Sequence, residues 1–258
     1  MGVLNVTPDS FSDGGRFTAP DAALARARAM VEEGAAIVDV GGESTRPGAQ
    51  PVDEEQELAR VLPVIARIRA ELGCAISIDT MKPGVMRAAC DAGAELINDV
   101  NALRAPGALE AARDSGAAVC LMHMQGEPRT MQQEPRYADV VAEVRAFLEQ
   151  RVAACVAAGI ARERLVVDPG FGFGKALEHN LQLLGAVTEF AEIGVPVLVG
   201  VSRKSMFGQL LDRPADQRLA GGLAAATLAA WQGARIVRTH DVRSTMDALK
   251  VTTAAQNA

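Results

Sequence analysis

The sequence predicts an α/β protein, a single (β/α)8 TIM barrel with residues 1–258 as one domain. Three observations carry that expectation. Eight short β-branched runs alternate with eight stretches rich in Ala, Leu, Arg and Glu, which is the barrel's rhythm. The runs are nearly continuous in apolar residues, as strands are when helices cover their sheet. Almost every run ends in a polar or charged side chain, and a barrel builds its site from the C-terminal ends of its strands. A doubly wound open sheet is the alternative, but no GxGxxG follows the first strand to favour it.

The elements follow in order. Strands are expected at 1–6, 36–41, 75–80, 96–100, 117–123, 165–168, 195–202 and 235–240. Helices are expected near 21–34, 53–72, 83–92, 107–115, 138–158, 177–189, 215–231 and 242–253. Asp21 is placed to start the first helix, and Gly34, Gly73, Gly93, Gly116, Gly159 and Gly233 each follow a helix end. Residues 5–15, NVTPDSFSDGG, take an apolar run into turn chemistry ending in two glycines, the grammar of an active-site edge.

Composition excludes several function classes. With 258 residues, 49% of them hydrophobic, the chain can bury a full core. A net charge of −6 gives no support for nucleic-acid binding. No stretch approaches the roughly 18–20 apolar residues of a membrane span, and no signal peptide is expected. The four cysteines, Cys74, Cys90, Cys120 and Cys155, are widely spaced with no CxxC pair. They suit small buried thiols in a reducing cytoplasm better than a disulfide or zinc framework.

The strand ends carry Asn5, Asp39, Asp79-Thr80, Asn98-Asp99, Met122-His123, Asp168, Ser202-Arg203-Lys204 and Arg238-Thr239-His240. They sort into two sub-sites. Asp79, Asn98 and Asp168, with Met122 as an apolar wall, suit a flat heterocycle presenting several N–H donors, such as an aminopyrimidinone. Lys204, Arg203, Arg238 and His240, with Arg46 from the loop after the second strand, suit phosphate or carboxylate oxygens. Asn5 offers a hard oxygen to a Mg2+ that bridges phosphates.

Plainer roles compete for some of these residues. Arg203 and Arg238 could be solvated or paired with helix carboxylates. His123 on its apolar strand could be a satisfied core histidine, and His179, opening a helix, a surface residue. Met30, Met86 and Met246 read as core filler, and Asp39 as a residue behind the site rather than in it. The run 168–175, DPGFGFGK, fails as a P-loop because Ala176 stands where Ser or Thr is needed. Its glycines instead suit a loop that presses the edges of Phe171 and Phe173 against a ligand.

Together the blocks NVTPDSFSDGG (5–15), GESTRPG (42–48), IDT (78–80), IND (97–99), MHMQ (122–125), DPGFGFGK (168–175), SRK (202–204) and RTHD (238–241) resemble bacterial dihydropteroate synthases. They occur in that family's order and cover essentially the whole chain. The first block and DPGFGFGK are highly specific; the short ones are weak alone. The resemblance implies a Mg2+-assisted folate-pathway transferase that joins 6-hydroxymethyl-7,8-dihydropterin pyrophosphate to p-aminobenzoate and releases pyrophosphate. It also implies sulfonamide inhibitors as partners, a homodimer and a cytoplasmic location. Members usually carry residues ahead of the first strand, whereas this sequence begins inside it.

Carried over residue by residue, the family's pterin ligands match Asp79, Asn98, Met122, Asp168 and Lys204, with Asp79, Asp168 and Lys204 as the expected catalytic groups. Its pyrophosphate and Mg2+ contacts match Asn5, Arg238 and His240, with Asn5 as metal ligand. Its p-aminobenzoate contacts match Thr45, Arg46, Pro47, Phe173 and Ser202. An SN1-like path is expected, in which loops 5–15 and 45–51 exclude water, with Gly14, Gly15 and Gly48 as hinges. A methyltetrahydrofolate methyltransferase would share the carboxylate-amide pocket but needs no pyrophosphate clamp. A non-catalytic pterin-binding paralogue would be expected to have lost Asn5, Asp79 or the loop residues.

Overall fold

Apolar runs become strands here because helices bury their outer face and the barrel interior buries the inner one. The structure, a computed structural model, describes residues 1–7, 19–44, 49–127 and 130–258. Its strands are β1 (Gly2–Asn5), β2 (Ile37–Gly41), β3 (Ala75–Asp79), β4 (Leu96–Asp99), β5 (Ala118–Met122), β6 (Leu165–Asp168), β7 (Leu198–Val199) and β8 (Ile236–Val237). The first six pair in sequence order, all parallel, and β7 pairs with β8. Two bridges join the sheets into a ring: Val167 with Val197, and Gly2 with Thr239. Backbone hydrogen bonds hold both seams, Val167 N to Pro196 O and Val3 N to Thr239 O at 3.0 Å each. The strands thus close into the barrel that the sequence predicts.

Register fixes what faces the mouth. Asn5 lies beside Gly41, Gly41 beside Asp79, Asp79 beside Asn98, and Met122 beside Asp168. Below them, Leu96, Cys120, Val166 and Leu198 form an apolar cluster, with Ile236 packed against it. A larger cluster contains Ile65 and Ile68 of α2 together with Ile76, Ile78, Ile97 and Leu121 from the strands. Each such side chain contributes about 1.5–3 kcal/mol on burial.

The helices are α1 (Ala19–Glu32), α2 (Glu54–Glu71), α3 (Pro83–Asp91), α4 (Ala108–Ser115), α5 (Val140–Ala157), α6 (Leu177–Gly185), α7 (Val187–Ala191), α8 (Ser205–Leu211), α9 (Leu219–Trp231) and α10 (Val242–Gln256). Among the described residues, aspartate caps start two of them. Asp53 accepts from Gln56 N at 2.7 Å, and Asp139 accepts from Val141 N and Ala142 N at 3.0 Å.

The structure corrects several boundaries. Helix α1 begins at Ala19, so Asp21 lies within its first turn, paired with Arg67. Gly34 and Gly116 take left-handed φ values of 103° and 71°, but Gly73 does not, because Leu72 ends α2 in an extended conformation. The helix expected over 177–189 breaks at Ala186 into α6 and α7. Helix α8 was not expected, and the start of the stretch at 215 is a single 3-10 turn. Strands β7 and β8 are short because Val197 O accepts from both Arg235 N and Ile236 N, at 2.9 and 3.2 Å, which interrupts the regular ladder.

Candidate active site

At the C-terminal ends of the strands lies a cleft of about 620 Å³ whose walls include Asn5, Asp79, Phe173, Ser202, Lys204, Arg238 and His240. Its floor is charged. Arg238, following β8, places Nε 2.6 Å from Asp39 Oδ2 and a terminal nitrogen 2.7 Å from Asp79 Oδ2. Asn98 Nδ2 donates to the same Asp39 oxygen at 3.3 Å. Asp39 is fully buried, so it stands behind the site, as the sequence suggested, and ties β4 and β8 together. Burial opposes the Arg238 charge, but the Asp39 and Asp79 carboxylates outweigh it and raise its pKa. Burial pushes the Asp79 carboxyl up, while Arg238 pulls it back and Asp39 adds to the rise.

Asp168 ends β6, and its Oδ1 accepts from Gly170 N at 2.7 Å. Burial pushes its pKa up to about 6, against the Gly170 hydrogen bond and the Lys204 charge. Lys204 is brought down to about 8 by burial and Arg238, with Asp168 and Asp79 acting in the opposite sense. The two carboxylates and the lysine therefore share one electrostatic neighbourhood, although Asp79 and Asp168 belong to strands three apart. Beside them Val100, Met122, Met124 and Met131 make an apolar wall, with Phe173 packed against it. The Lys204 ammonium sits 4.3 Å from the Phe173 ring centroid, within cation–π range.

Ser202 and His240, assigned by the sequence to different sub-sites, are neighbours: Ser202 Oγ accepts from His240 N at 3.2 Å and lies 3.1 Å from its Nδ1. Arg203 lines the same cleft as the other cationic residues, but paired, as the plainer reading allowed. Its guanidinium pairs with Asp241 at 3.1 and 2.5 Å.

The glycine run after β6 forms a tight turn. Gly170, Gly172 and Gly174 have φ values of 72°, 78° and 65°, which glycine adopts without strain. A side chain at Gly170 would place its Cβ 1.9 Å from the His123 carbonyl oxygen. The expectation that both phenylalanines face a ligand is corrected: Phe171 is buried in the main core, and only Phe173 reaches the cleft. The left-handed backbone at Gly172 explains the difference: it breaks the extended path along which residues two apart would share a face. His123 is the core histidine of the plainer reading. It is buried, edge-on to Phe147 with centroids 4.9 Å apart, and bonded to Lys175. His179 is half-buried rather than a surface residue, accepting from Ala176 N at 3.2 Å and packing edge-on to Tyr137.

This pocket of carboxylates, amide, lysine and methionines agrees with comparison to known proteins. The sequence profile of the family described as pterin binding enzyme matches residues 1–240. The chain belongs to the pterin-binding enzyme family. Within that family it is 54% identical over 258 residues to the dihydropteroate synthase of Haemophilus influenzae, covering 100% of this chain and 94% of that one. The Yersinia pestis dihydropteroate synthase solved with a sulfonamide drug superposes with a TM-score of 0.95 and 51% identity, covering 100% of this chain and 94% of the other. The Xanthomonas albilineans enzyme with 4-aminobenzoic acid gives 0.95 and 53%, with coverage of 100% and 93%.

For this pterin-binding enzyme, Thr45, Arg46 and Pro47 lie outside the described residues, as do Gly14, Gly15 and Gly48. Two features of the site escaped sequence reasoning. Lys175 is buried beneath the glycine turn. Lys82 bridges Glu43, at the stem of the loop after β2, to the fully buried Glu57 of α2, the latter at 2.5 Å. The position of Lys82 just beyond a strand end was a usable signal; Glu57, in an acidic helix start, gave none.

Proposed function

We propose that the chain condenses 6-hydroxymethyl-7,8-dihydropterin pyrophosphate with p-aminobenzoate to give 7,8-dihydropteroate and pyrophosphate. The observation that carries this reading is the cleft at the barrel mouth lined by Asp79 and the half-buried Lys204, with Asp168 buried at the end of β6 beside them. Asp79 and Asp168 are suited to accept from the pterin's N–H groups, Asn98 to hydrogen-bond its edge, and Lys204 to donate to its oxygen. Met122 and its neighbours would cover the ring face. Arg238, beside Asp79, and His240 would hold the pyrophosphate. Phe173 and Ser202, with Thr45, Arg46 and Pro47, would border p-aminobenzoate.

In the reaction, the bond from the exocyclic carbon to the pyrophosphate oxygen breaks, and the electron pair leaves with the oxygen. Arg238 and His240 stabilise that departing charge. Asp79 balances the cation delocalised over the ring. The amine of p-aminobenzoate then forms the carbon–nitrogen bond and gives up a proton to solvent or to the departing pyrophosphate, in an SN1-like order. Neither step needs a covalent enzyme intermediate.

Asn5 ends β1 at the cleft wall and carries one hard amide oxygen. Among the described residues no group of three or more acidic, His or Cys side chains is placed to cage a metal. The single Asn5 oxygen would suit Mg2+, which takes few protein ligands and completes its shell with substrate oxygens and water. When bound, the ion would neutralise pyrophosphate charge.

A sulfonamide would occupy the p-aminobenzoate position. A homodimer is supported by the exposed Leu228 and Trp231 of α9 and Val251 of α10, two helices that pack against each other. Four free cysteines suit a reducing cytoplasm. Among the described residues, no helix is long and apolar enough to cross a membrane. The deciding experiment measures pyrophosphate and dihydropteroate together, with and without Mg2+. Equal, Mg2+-dependent amounts support the reading, and pterin binding without turnover overturns it in favour of a non-catalytic paralogue.

A further inference from the structure

The turn between β6 and α6 rests on a lysine that the proposed chemistry does not use. Lys175 is 3% exposed. Its Nζ lies 2.9 Å from Gly170 O, 3.0 Å from Phe173 O and 2.9 Å from His123 Nδ1. Three short contacts, all to acceptors, account for the three protons of an ammonium. Burial opposes that charge and brings its pKa down to about 7, with Asp168 raising it and Lys204 lowering it. His123 is fitted to the role of acceptor, since burial and the Lys175 charge pull its own pKa to about 3 and keep the ring neutral. An ammonium sunk among neutral acceptors is costly, so the contact has to be sought in what it holds in place.

It holds the turn. Phe173 N donates to Gly170 O at 3.1 Å, and Lys175 binds the carbonyls of both residues. The ring of Phe173 projects from this turn to stand 4.3 Å from Lys204 Nζ. Asp168, by contrast, is carried by β6 itself.

We propose that Lys175 is a positioning residue for the p-aminobenzoate subsite. By gathering the Gly170 and Phe173 carbonyls against His123, it fixes the turn that sets the Phe173 ring over Lys204. This role rests on reading the cleft as a dihydropteroate synthase site. It separates the substrates, because loosening the turn displaces Phe173 first, while the pterin contacts Asp79, Asn98, Met122 and Asp168 stand on strands outside the turn.

The test is steady-state kinetics of Lys175→Met with each substrate varied in turn. The KM for p-aminobenzoate is expected to rise about fivefold or more, while that for dihydropterin pyrophosphate stays within about twofold. The inhibition constant of a sulfonamide is expected to rise with the former. Unchanged constants overturn the proposal, and so do both KM values rising in equal proportion, as general loosening would produce. If Lys175→Met yields no folded protein, His123→Leu decides: it removes the third acceptor and leaves the lysine, and an unchanged p-aminobenzoate KM there overturns the role. Wild-type protein in the same assay keeps the two readings apart. No product from wild type sinks the synthase reading, whereas product without the split sinks only Lys175.

Discussion

Arg238 and Asp39, 199 residues apart in sequence, meet at 2.6 Å at the base of the cleft, and the same guanidinium reaches Asp79 at 2.7 Å. One carboxylate is sealed in the barrel and the other lines the cleft, so Asp39 is the anchor and Asp79 the partner that a substrate can engage. Asp39→Ala strands the arginine on a single partner. Removing one member of a buried pair costs about 3–5 kcal/mol, and the remaining Asp79 contact places this loss near the lower end. Urea unfolding should show a lower midpoint with an unchanged slope; a midpoint equal to wild type would refute the anchor.

Lys204→Met tests the lysine of the pterin pocket. A hydrogen bond to a charged group is worth about 1.5–3 kcal/mol, so pterin affinity or kcat/KM should fall roughly 10- to 150-fold. A change below about twofold removes Lys204 from the site.

Asp168 supplies a pH dependence. Its carboxyl titrates at about 6 because burial penalises the charge. A pterin that donates to it needs the ionised form, so affinity should fall about tenfold between pH 7 and pH 5. Stability has the opposite sign: a carboxyl whose pKa is raised above its unfolded value binds its proton more readily when folded. Its contribution to stability therefore grows as pH falls from about 6 towards 4. Calorimetric titration alongside thermal melts distinguishes the two, and affinity flat across that window would discard Asp168 as a ligand.

Two glycines with the same backbone angle separate strain from crowding. Gly116 and Gly170 have φ values of 71° and 72°, but a Cβ at Gly116 meets nothing within 4 Å, whereas at Gly170 it meets the His123 carbonyl. Both alanine variants share the left-handed penalty. Gly170→Ala should be less stable than Gly116→Ala by about 1–3 kcal/mol, the cost of overpacking. Equal losses in denaturant titration would mean that the turn yields freely.

Chelation probes the metal. Product formation should cease in EDTA and return with Mg2+, while the melting temperature moves by less than about 1 °C, because the ion relies mainly on substrate oxygens. Full activity in EDTA would exclude a role for Mg2+.

Local chemistry made the strands and the mouth residues legible, and distance in sequence hid the rest. Val38, Ile78 and Val119 sit in apolar runs whose shortness and β-branched residues favour covered strands over buried helices, so the staves could be placed before the ring was seen. Asp39 could be recognised as lying behind the site, yet its partner could not, since nothing in the spacing links it to Arg238. Lys175 was hidden by its own motif: it was weighed as the end of a P-loop, and a lysine's burial leaves no mark in sequence. Helix α8 was missed although Met206, Phe207, Leu210 and Leu211 have helical spacing, because the seventh strand was expected to run on to Ser202. Phe171 and Phe173 looked equivalent, and only the turn at Gly172 sends one into the core and the other to the cleft.

The seam at Gly2 and Thr239 also bears on how the molecule is made. During synthesis β1 gains β2 after a single intervening helix, but its other edge has no neighbour until Thr239 has been made. Throughout elongation that edge presents unpaired amide and carbonyl groups, the kind of template on which strands of other nascent chains can add. Ring closure, with its long sequence separation, belongs to the slow part of folding.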